Sequence, residues 1–446
     1  MSLPLEQKLK INGDNTEHLY KLSFEETNKC VQCGYCLAVC PTYETIGKET
    51  ASPRGRINLV KLASLGKIDI LEHMAEPIDL CIGCRACEVA CPVGVHYGHI
   101  LDSAKQVVTE VAKEKQKTIF SNFIKKTILN HIFPHPKRLR RLGDMVWLYH
   151  KSGAYKIIRK TKIIGKISKP LAQLELGLPL LESPSKRYEP GSVIPAKGEI
   201  KGRIAFFTGC VTDAVISRTN RLSIELLTLI GLEVIIPEKQ KCCGALHVHQ
   251  GENNQAKSLA KDNIDAFEKS GAEYYLNNAG GCGAMLSEYD HLLRDEKDWK
   301  TRAKDFVKKS KDISEILVKY GPLPFKKEWQ GTITYQDSCH LRNVQGIYKE
   351  PRILLQSIPN VNYIEMEGSD KCCASGGIYN ILHFSESNKI LDKKMENVKE
   401  TKAATVVTAN PGCLLQIRSG VERHGAANEI EALHLVDVLA KACGLE

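Results

Sequence analysis

Several features that announce common functions are missing from this 446-residue chain. No window holds the ~18 uncharged apolar residues that a membrane span requires. The amino-terminal text MSLPLEQKLKINGD has no apolar stretch of the secretory-signal kind. No Gly-x-Gly-x-x-Gly opens a strand-helix unit, which excludes the usual dinucleotide cradle, and no nucleophile or paired-carboxylate constellation stands out. Acids are scarce in one place: from Lys115 to Lys169 fifteen Lys or Arg face Asp144 alone. That stretch carries +14 against +10 for the whole chain, so the remainder sums to −4 and the basicity is local. Cysteine, by contrast, is abundant. Seventeen cysteines without an export signal point to metal binding in a reducing compartment, so the expected location is the cytoplasm.

Eight of them form two copies of one spacing. CVQCGYCLAVCP places Cys30, Cys33, Cys36 and Cys40 before Pro41, and CIGCRACEVACP places Cys81, Cys84, Cys87 and Cys91 before Pro92. Both read C-x2-C-x2-C-x3-C-P, the bacterial two-cluster run in which three cysteines hold one [4Fe-4S] cluster and the fourth crosses to the other. Cysteines three apart let the backbone curl and aim its amides at the cluster, and the proline stops the turn from continuing. The spacing therefore predicts one cluster on Cys30, Cys33, Cys36 and Cys91, and a second on Cys81, Cys84, Cys87 and Cys40. Zinc is the competing reading, but it is usually met by paired C-x2-C units. Between the runs, RGRINLVKLASLG repeats apolar residues at helical intervals. Its Arg54 and Arg56 have two readings: cations near a cluster, where they would raise its potential, or a solvated helix start.

The basic stretch carries Ile119, Phe120, Phe123, Ile124, Ile128, Leu129, Ile132 and Phe133 at roughly helical intervals, then Trp147 and Tyr149. Three roles fit such text: a membrane-surface anchor, a connector packed on the chain's own domains, and a dock for an acidic partner. Nucleic-acid binding is not expected, because no reading module accompanies the charge.

The remaining paired cysteines reveal a duplication. Cys210, Cys242, Cys243 and Cys282 recur as Cys339, Cys372, Cys373 and Cys413 at a nearly constant offset, with Gly202 and Gly331 each eight residues before the first. RIAFFTG, LEVIIPE and AEYYLNNAGG precede the cysteines of the first half, and TITYQDS, VNYIEME and ATVVTANPG those of the second. Helical text such as NNQAKSLAKDNIDAFEKSG and ESNKILDKKMENVKET lies between, giving strand-helix alternation and an α/β sheet. Cysteines of each half should gather beyond the carboxyl ends of strands, where ligands sit in such sheets. His247 and His249 follow the first pair on alternate positions; proton movement and plain solvation are the two readings. Cys443 has no partner spacing and reads as a packed thiol.

CCGALHVHQGE and KCCASGGIYN resemble the cysteine-rich CCG module that occurs twice in heterodisulfide reductase and anaerobic glycerol-3-phosphate dehydrogenase iron-sulfur subunits. The order of two Cys-Pro runs followed by two such modules most resembles the glycolate oxidase iron-sulfur subunits, and SPRGRI and CCGALHVH fit these best. The resemblance implies an α-helical ferredoxin-like module over 1–110, a basic helical connector over 111–200, and tandem α/β CCG modules over 201–325 and 326–446. It also implies FAD on a partner subunit only, and a quinone-type or other membrane acceptor reached by peripheral contact. Glycolate is the expected substrate of the complex. D-lactate and glycerol-3-phosphate are alternatives, as is a heterodisulfide-reductase-like thiol-disulfide catalyst. Two departures matter. The full CCG motif ends in C-x2-C, but the position three before Cys282 is Ala279 and that three before Cys413 is Asn410. Each half thus has four cysteines, and an additional [4Fe-4S] centre, a site shared between the halves and no metal all stay open. Ala374 also stands where the motif has glycine, which restricts the loop.

Overall fold

The fold is described from a computed structural model over residues 16–115 and 131–445. The amino-terminal text and Ile119 to Leu129 of the basic stretch lie outside the described residues.

The first module is helical. Helix Pro53–Ser64 begins where Ser52 Oγ accepts from Gly55 N at 3.0 Å and Pro53 presets the first turn. A Cβ on Gly55 would stand 2.0 Å from the Glu49 carbonyl, so SPRG is a steric requirement as well as a cap. The 18-residue helix Tyr97–Glu114 buries Tyr97, Ile100, Leu101, Ala104, Val107 and Val111, one stripe at spacings of three and four. These meet Ile57, Val60, Ile70 and Met74 in one core, each full burial contributing ~1.5–3 kcal/mol. The helix crosses residue 110 without a break.

The connector clamps the later modules. Helix Pro136–Lys151 buries Leu139 in the core of the first CCG module, and Arg140 pairs with Asp213 at 2.6 Å. Helix Lys169–Gly177, capped by Ser168, lies on helix Pro411–Arg423 of the second module, where Arg418 Nε donates to Gly177 O at 3.2 Å.

Two sheets follow. The first holds β1 (Val193–Ile194), β2 (Gly202–Phe206), β3 (Leu232–Ile235), β4 (Tyr274–Asn277) and β5 (Ser310–Asp312), in the order β1-β3-β2-β4-β5. Only β1 is antiparallel. The second holds β6 (Thr332–Gln336), β7 (Asn362–Tyr363), β8 (Thr405–Thr408) and β9 (Glu431–His434), all parallel, in the order β7-β6-β8-β9. The order β3-β2-β4-β5 recurs, so the duplication seen in the cysteines extends to the topology. Parallel pairing brings all these carboxyl ends to one edge in each sheet. One core spans both modules, with Phe206 and Leu276 from the first and Tyr335 and Val407 from the second. At the same seam Gly280 N donates to Ala409 O at 3.1 Å and Gly281 N to Asn410 Oδ1 at 2.9 Å. Asn410, at one of the two positions where the full motif has its extra cysteine, is thus part of this seam, which gives it a structural task.

Candidate iron-sulfur centres

In each Cys-Pro run the residues two and four places after the first cysteine have positive φ: Gln32 and Gly34 in one, Gly83 and Arg85 in the other. This curl gathers the thiols round two cavities. One is lined by Cys30, Cys33, Cys36 and Cys91, the other by Cys40, Cys81, Cys84 and Cys87, and Cys87 also borders the first. Four soft sulfur donors per cavity suit an iron-sulfur cluster. Among the described residues no three His, Cys, Asp or Glu side chains already converge on a single-ion position. Gln32 Nε2 donates to Cys30 Sγ, Val95 N to Cys91 Sγ and Tyr97 Oη to Cys81 Sγ, each at 3.4 Å. Such donors stabilise negative charge on sulfur. Burial pushes the Cys40 and Cys87 thiols up, so each is protonated until a metal replaces its proton.

The solvated reading fails for Arg56, which is 1% exposed, lines the second cavity, and donates to Thr42 Oγ1 at 3.0 Å and Pro77 O at 2.7 Å. Arg54 lines the first cavity and pairs with Glu49 at 2.7 Å. The first cavity lies near the surface: Cys33 is exposed, as are Val31 and Tyr35 at 63% and 68%.

The later cysteines also assemble. In the first half Cys210 Sγ stands 3.6 Å from Cys242 Sγ, in one buried cluster with Cys243, and Cys282 packs against it. Hydrogen bonds from Cys210 and Cys243, with a further one from His247, hold the Cys242 thiol well below its ordinary range. In the second half Cys339 and Cys372 share one buried cluster with Cys84 packed against it, and Cys373 and Cys413 share the next. The hydrogen bond from Cys372, helped by His340 with Nδ1 3.5 Å away, lowers Cys339 to about 5. The second half therefore touches a cysteine of the second cavity, and Asn343 Nδ2 fastens the contact on Cys84 O at 2.9 Å.

The solvated reading also fails for the histidines. His247 is fully buried, and the His249 ring lies 5.6 Å from that of His340, a residue the sequence did not single out. A spacing cannot reveal that the loop of one module is roofed by the other. Missed too were Asn263 and Lys394, which occupy the same place in the duplicated helices, as the offset of 131 would have shown. Asn263 Oδ1 accepts from Lys241 N at 2.8 Å, and its Nδ2 donates to Cys242 O at 3.1 Å. Lys394 is 3% exposed, donates to Gly368 O, and is lowered to about 8 by burial. Cys443, fully buried in the shared core, is pushed up to about 11 by burial, as a packed thiol should be.

Similarity to known proteins follows the same divisions. Residues 26–95 match a 4Fe-4S dicluster domain, and 204–287 and 333–418 each match a cysteine-rich domain named CCG. Residues 120–178 match the linker region of the glycolate oxidase iron-sulfur subunit. The chain is 44% identical to a probable glycolate oxidase iron-sulfur subunit of Bacillus subtilis, over 94% of each chain. It is 27% identical to the glycolate oxidase iron-sulfur subunit of Escherichia coli over 93% of each. Lactate utilization protein A of Oceanobacillus iheyensis is 32% identical over 53% of this chain and 96% of that protein. A helical dicluster module, a linker and two CCG modules, in that order and over nearly the whole length, place this chain in the family of glycolate oxidase iron-sulfur subunits, iron-sulfur-binding components of oxidoreductase complexes.

Proposed function

We propose that this chain is the electron-transfer subunit of a flavin-dependent 2-hydroxy-acid dehydrogenase complex, with glycolate as substrate and glyoxylate as product. Cys30, Cys33, Cys36 and Cys91 would hold one [4Fe-4S] cluster, and Cys81, Cys84, Cys87 and Cys40 the other. When bound, such clusters supply one-electron carriers between a two-electron donor and its acceptor. The exposed Val31, Tyr35, Val89 and Val93 beside the first cavity offer an apolar landing for a partner subunit that carries FAD. Gln32 and Val95 N donate to sulfurs of the first cavity, and Arg56 with Tyr97 Oη holds charge steady round the second. The observation that carries the direction of flow is Cys84 packed against the buried cluster that holds Cys339 and Cys372. It supports a third metal centre on Cys339, Cys372, Cys373 and Cys413, with Cys210, Cys242, Cys243 and Cys282 as a second CCG site.

The outlet is a quinone-type acceptor. Among the described residues no helix is long and apolar enough to cross a membrane, so contact would be peripheral. Leu142, Met145 and Leu148 are exposed along helix Pro136–Lys151, with Arg138, Arg141 and Lys151 beside them, a pattern suited to an anionic lipid surface. The match to lactate utilization protein A supports a second reading with D-lactate as substrate. Cys33→Ser and Cys84→Ser are expected to leave substrate reduction of the flavin intact in the complex while quinone reduction stops. Unchanged quinone reduction in either would refute the assignment, and turnover of glycolate against D-lactate separates the two substrates.

A further inference from the structure

A cavity of about 190 Å³ lies between the amino-terminal module and the second CCG module. Its walls include Val39 and Pro41, which flank Cys40, and on the other side Cys372 with Lys371, Lys393 and Lys394. Cys372 is the one cysteine of its half that lines it, so this is not the space enclosed by that half's own four thiols. Lys393 pairs with Glu44, the one carboxylate in the wall. Among the described residues no carboxylate forms a close ion pair with Lys371 or Lys394: Lys371 acts on Glu44 from a distance, and the charges nearest Lys394 are those of Cys373 and Cys372, then Asp370 and Asp337, so the wall holds three ammonium groups against the single carboxylate of Glu44.

The duplication supplies an internal control. Lys371 corresponds to Lys241, but Lys393 corresponds to Asp262 and Lys394 to Asn263. In the first half the neutral Asn263 satisfies loop groups directly, donating to Cys242 O and to Tyr289 Oη at 3.0 Å. In the second half the same place holds a buried ammonium with one hydrogen bond, to Gly368 O. Burying a cation is costly unless something compensates it, and an ammonium has three donors to fill. The module does not need the charge to fold, since its twin manages without. The charge serves the cysteine pair on one side, and on the other it adds to an excess of cations in the cavity wall that an entering anion would answer.

We propose that this cavity is a binding site for a small carboxylate of the 2-hydroxy-acid or 2-oxo-acid class. Lys371 and Lys394 take the carboxylate, Asn397 and Thr45 offer polar contacts for the adjacent oxygen, and Ile390 covers the carbon. The volume admits a small organic acid and excludes a nucleotide. Because the site touches Cys372 and the residues round Cys40, its occupant sets the charge between two groups of cysteines. A bound anion there cancels the lysine field and lowers the potential of any centre beside it. The binding claim stands apart from the proposed electron path and from the existence of a third centre.

The test is calorimetric titration of the purified full chain with glycolate and with glyoxylate, checked by iron content and visible absorption. One molecule per chain is expected to bind, at least about tenfold more weakly in Lys371→Gln and Lys394→Met, because each change removes a charge-assisted hydrogen bond. Lys241→Gln, the matching change in the first half, should bind like wild type. Lys371 is exposed, so its variant tests the site even where Lys394→Met does not fold. Absence of binding, or equal binding in all variants, overturns the site. Displacement by inorganic phosphate at equal concentration overturns the carboxylate assignment.

Discussion

The two CCG modules share a strand order and a cysteine spacing, yet their cysteines face different surroundings. Those of the first half lie among Leu139, Phe207, Ala214 and Val248, in the core the connector helix closes. Of the second, Cys339 and Cys372 lie against Ile82 and Cys84 of the dicluster module, while Cys373 and Cys413 lie among Ile216, Leu391 and Val406. The first half has a neutral Asn263 beside its cysteine pair; the second has Lys394. Identical topology thus supports one module whose cysteines are walled in by the chain's own apolar groups and one that meets another thiol group. The lesson is that duplication fixes the scaffold, while the neighbour decides which copy meets the dicluster module.

The sharpest way to break that comparison is to remove the same cysteine from each copy. Cys372→Ser is expected to cut quinone reduction at least about tenfold, the scale seen when contacts that tune a metal site are lost. Cys242→Ser, lacking a contact to the dicluster module, should leave the rate within about twofold while altering any iron bound in its own half. Equal losses in both would mean that the halves act as one centre and that the Cys84 contact carries no special weight. Iron per chain, measured on the same preparations, distinguishes a missing centre from a slow one.

How much of this was legible beforehand follows the range of each signal. The crossing runs, the duplication and the strands β2, β4, β6 and β8 were readable because their information is local spacing or a run of β-branched and aromatic residues. The short β5 and β9 were not, because SKD and EALH carry no strand signal and owe their pairing to the neighbouring strand. For His247 and His249 the sequence left proton movement and solvation open, because the cover over His249 comes from His340, in the second CCG module. Asn410 looked like a lost cysteine. Its bond to Gly281 N, and a second from its Nδ2 to Cys413 Sγ at 3.4 Å, show a residue that ties the halves together. Lys394 was legible in principle, but only by aligning the helices as well as the cysteines.

A second contrast lies at the last strand of each sheet. Asp312 ends β5 and His434 ends β9; both are buried and both cap the next helix, Asp312 Oδ1 accepting from Ser314 N at 2.8 Å and His434 Nδ1 from Val436 N at 3.2 Å. Burial, with Glu315 and Glu350 adding to it, raises Asp312 to about 7, whereas burial lowers His434 to about 4. The signs are opposite. For Asp312, stability is full below about pH 4, the unfolded value, and is lost as pH rises through about 7. For His434, stability is full above about pH 6.5 and is lost as pH falls through about 4. Asp312→Asn should therefore gain roughly 2 kcal/mol over wild type between pH 5 and pH 8, on the scale of 1.4 kcal/mol per pKa unit. His434→Gln should gain a similar amount relative to wild type on going from pH 8 down to pH 4. Urea midpoints for both variants at three pH values check this, and parallel trends would remove the contrast.

The smallest difference concerns the turn after each cysteine pair. Gly244 has φ +91°, and its counterpart Ala374 takes the same left-handed region at φ +65°. For a residue with a Cβ that conformation costs ~1–2 kcal/mol, while glycine adopts it freely but gives up more chain entropy on folding. Ala374 is fully buried, and its amide donates to Cys372 Sγ at 3.3 Å, so the strained turn aims an N-H at the thiol that meets Cys84. Ala374→Gly should then change stability by less than ~1 kcal/mol, because relief of strain and loss of entropy oppose each other. Gly244→Ala meets the same entropy offset with its sign reversed, but φ +91° lies beyond the left-handed range of about +50° to +70° that a Cβ tolerates, so it should lose ~1 kcal/mol or more. Thermal unfolding of the two variants resolves the asymmetry. Were Ala374→Gly to destabilise as much as Gly244→Ala, the alanine methyl would be a packing element of this turn, and its departure from the motif would belong to the same specialisation as Lys394.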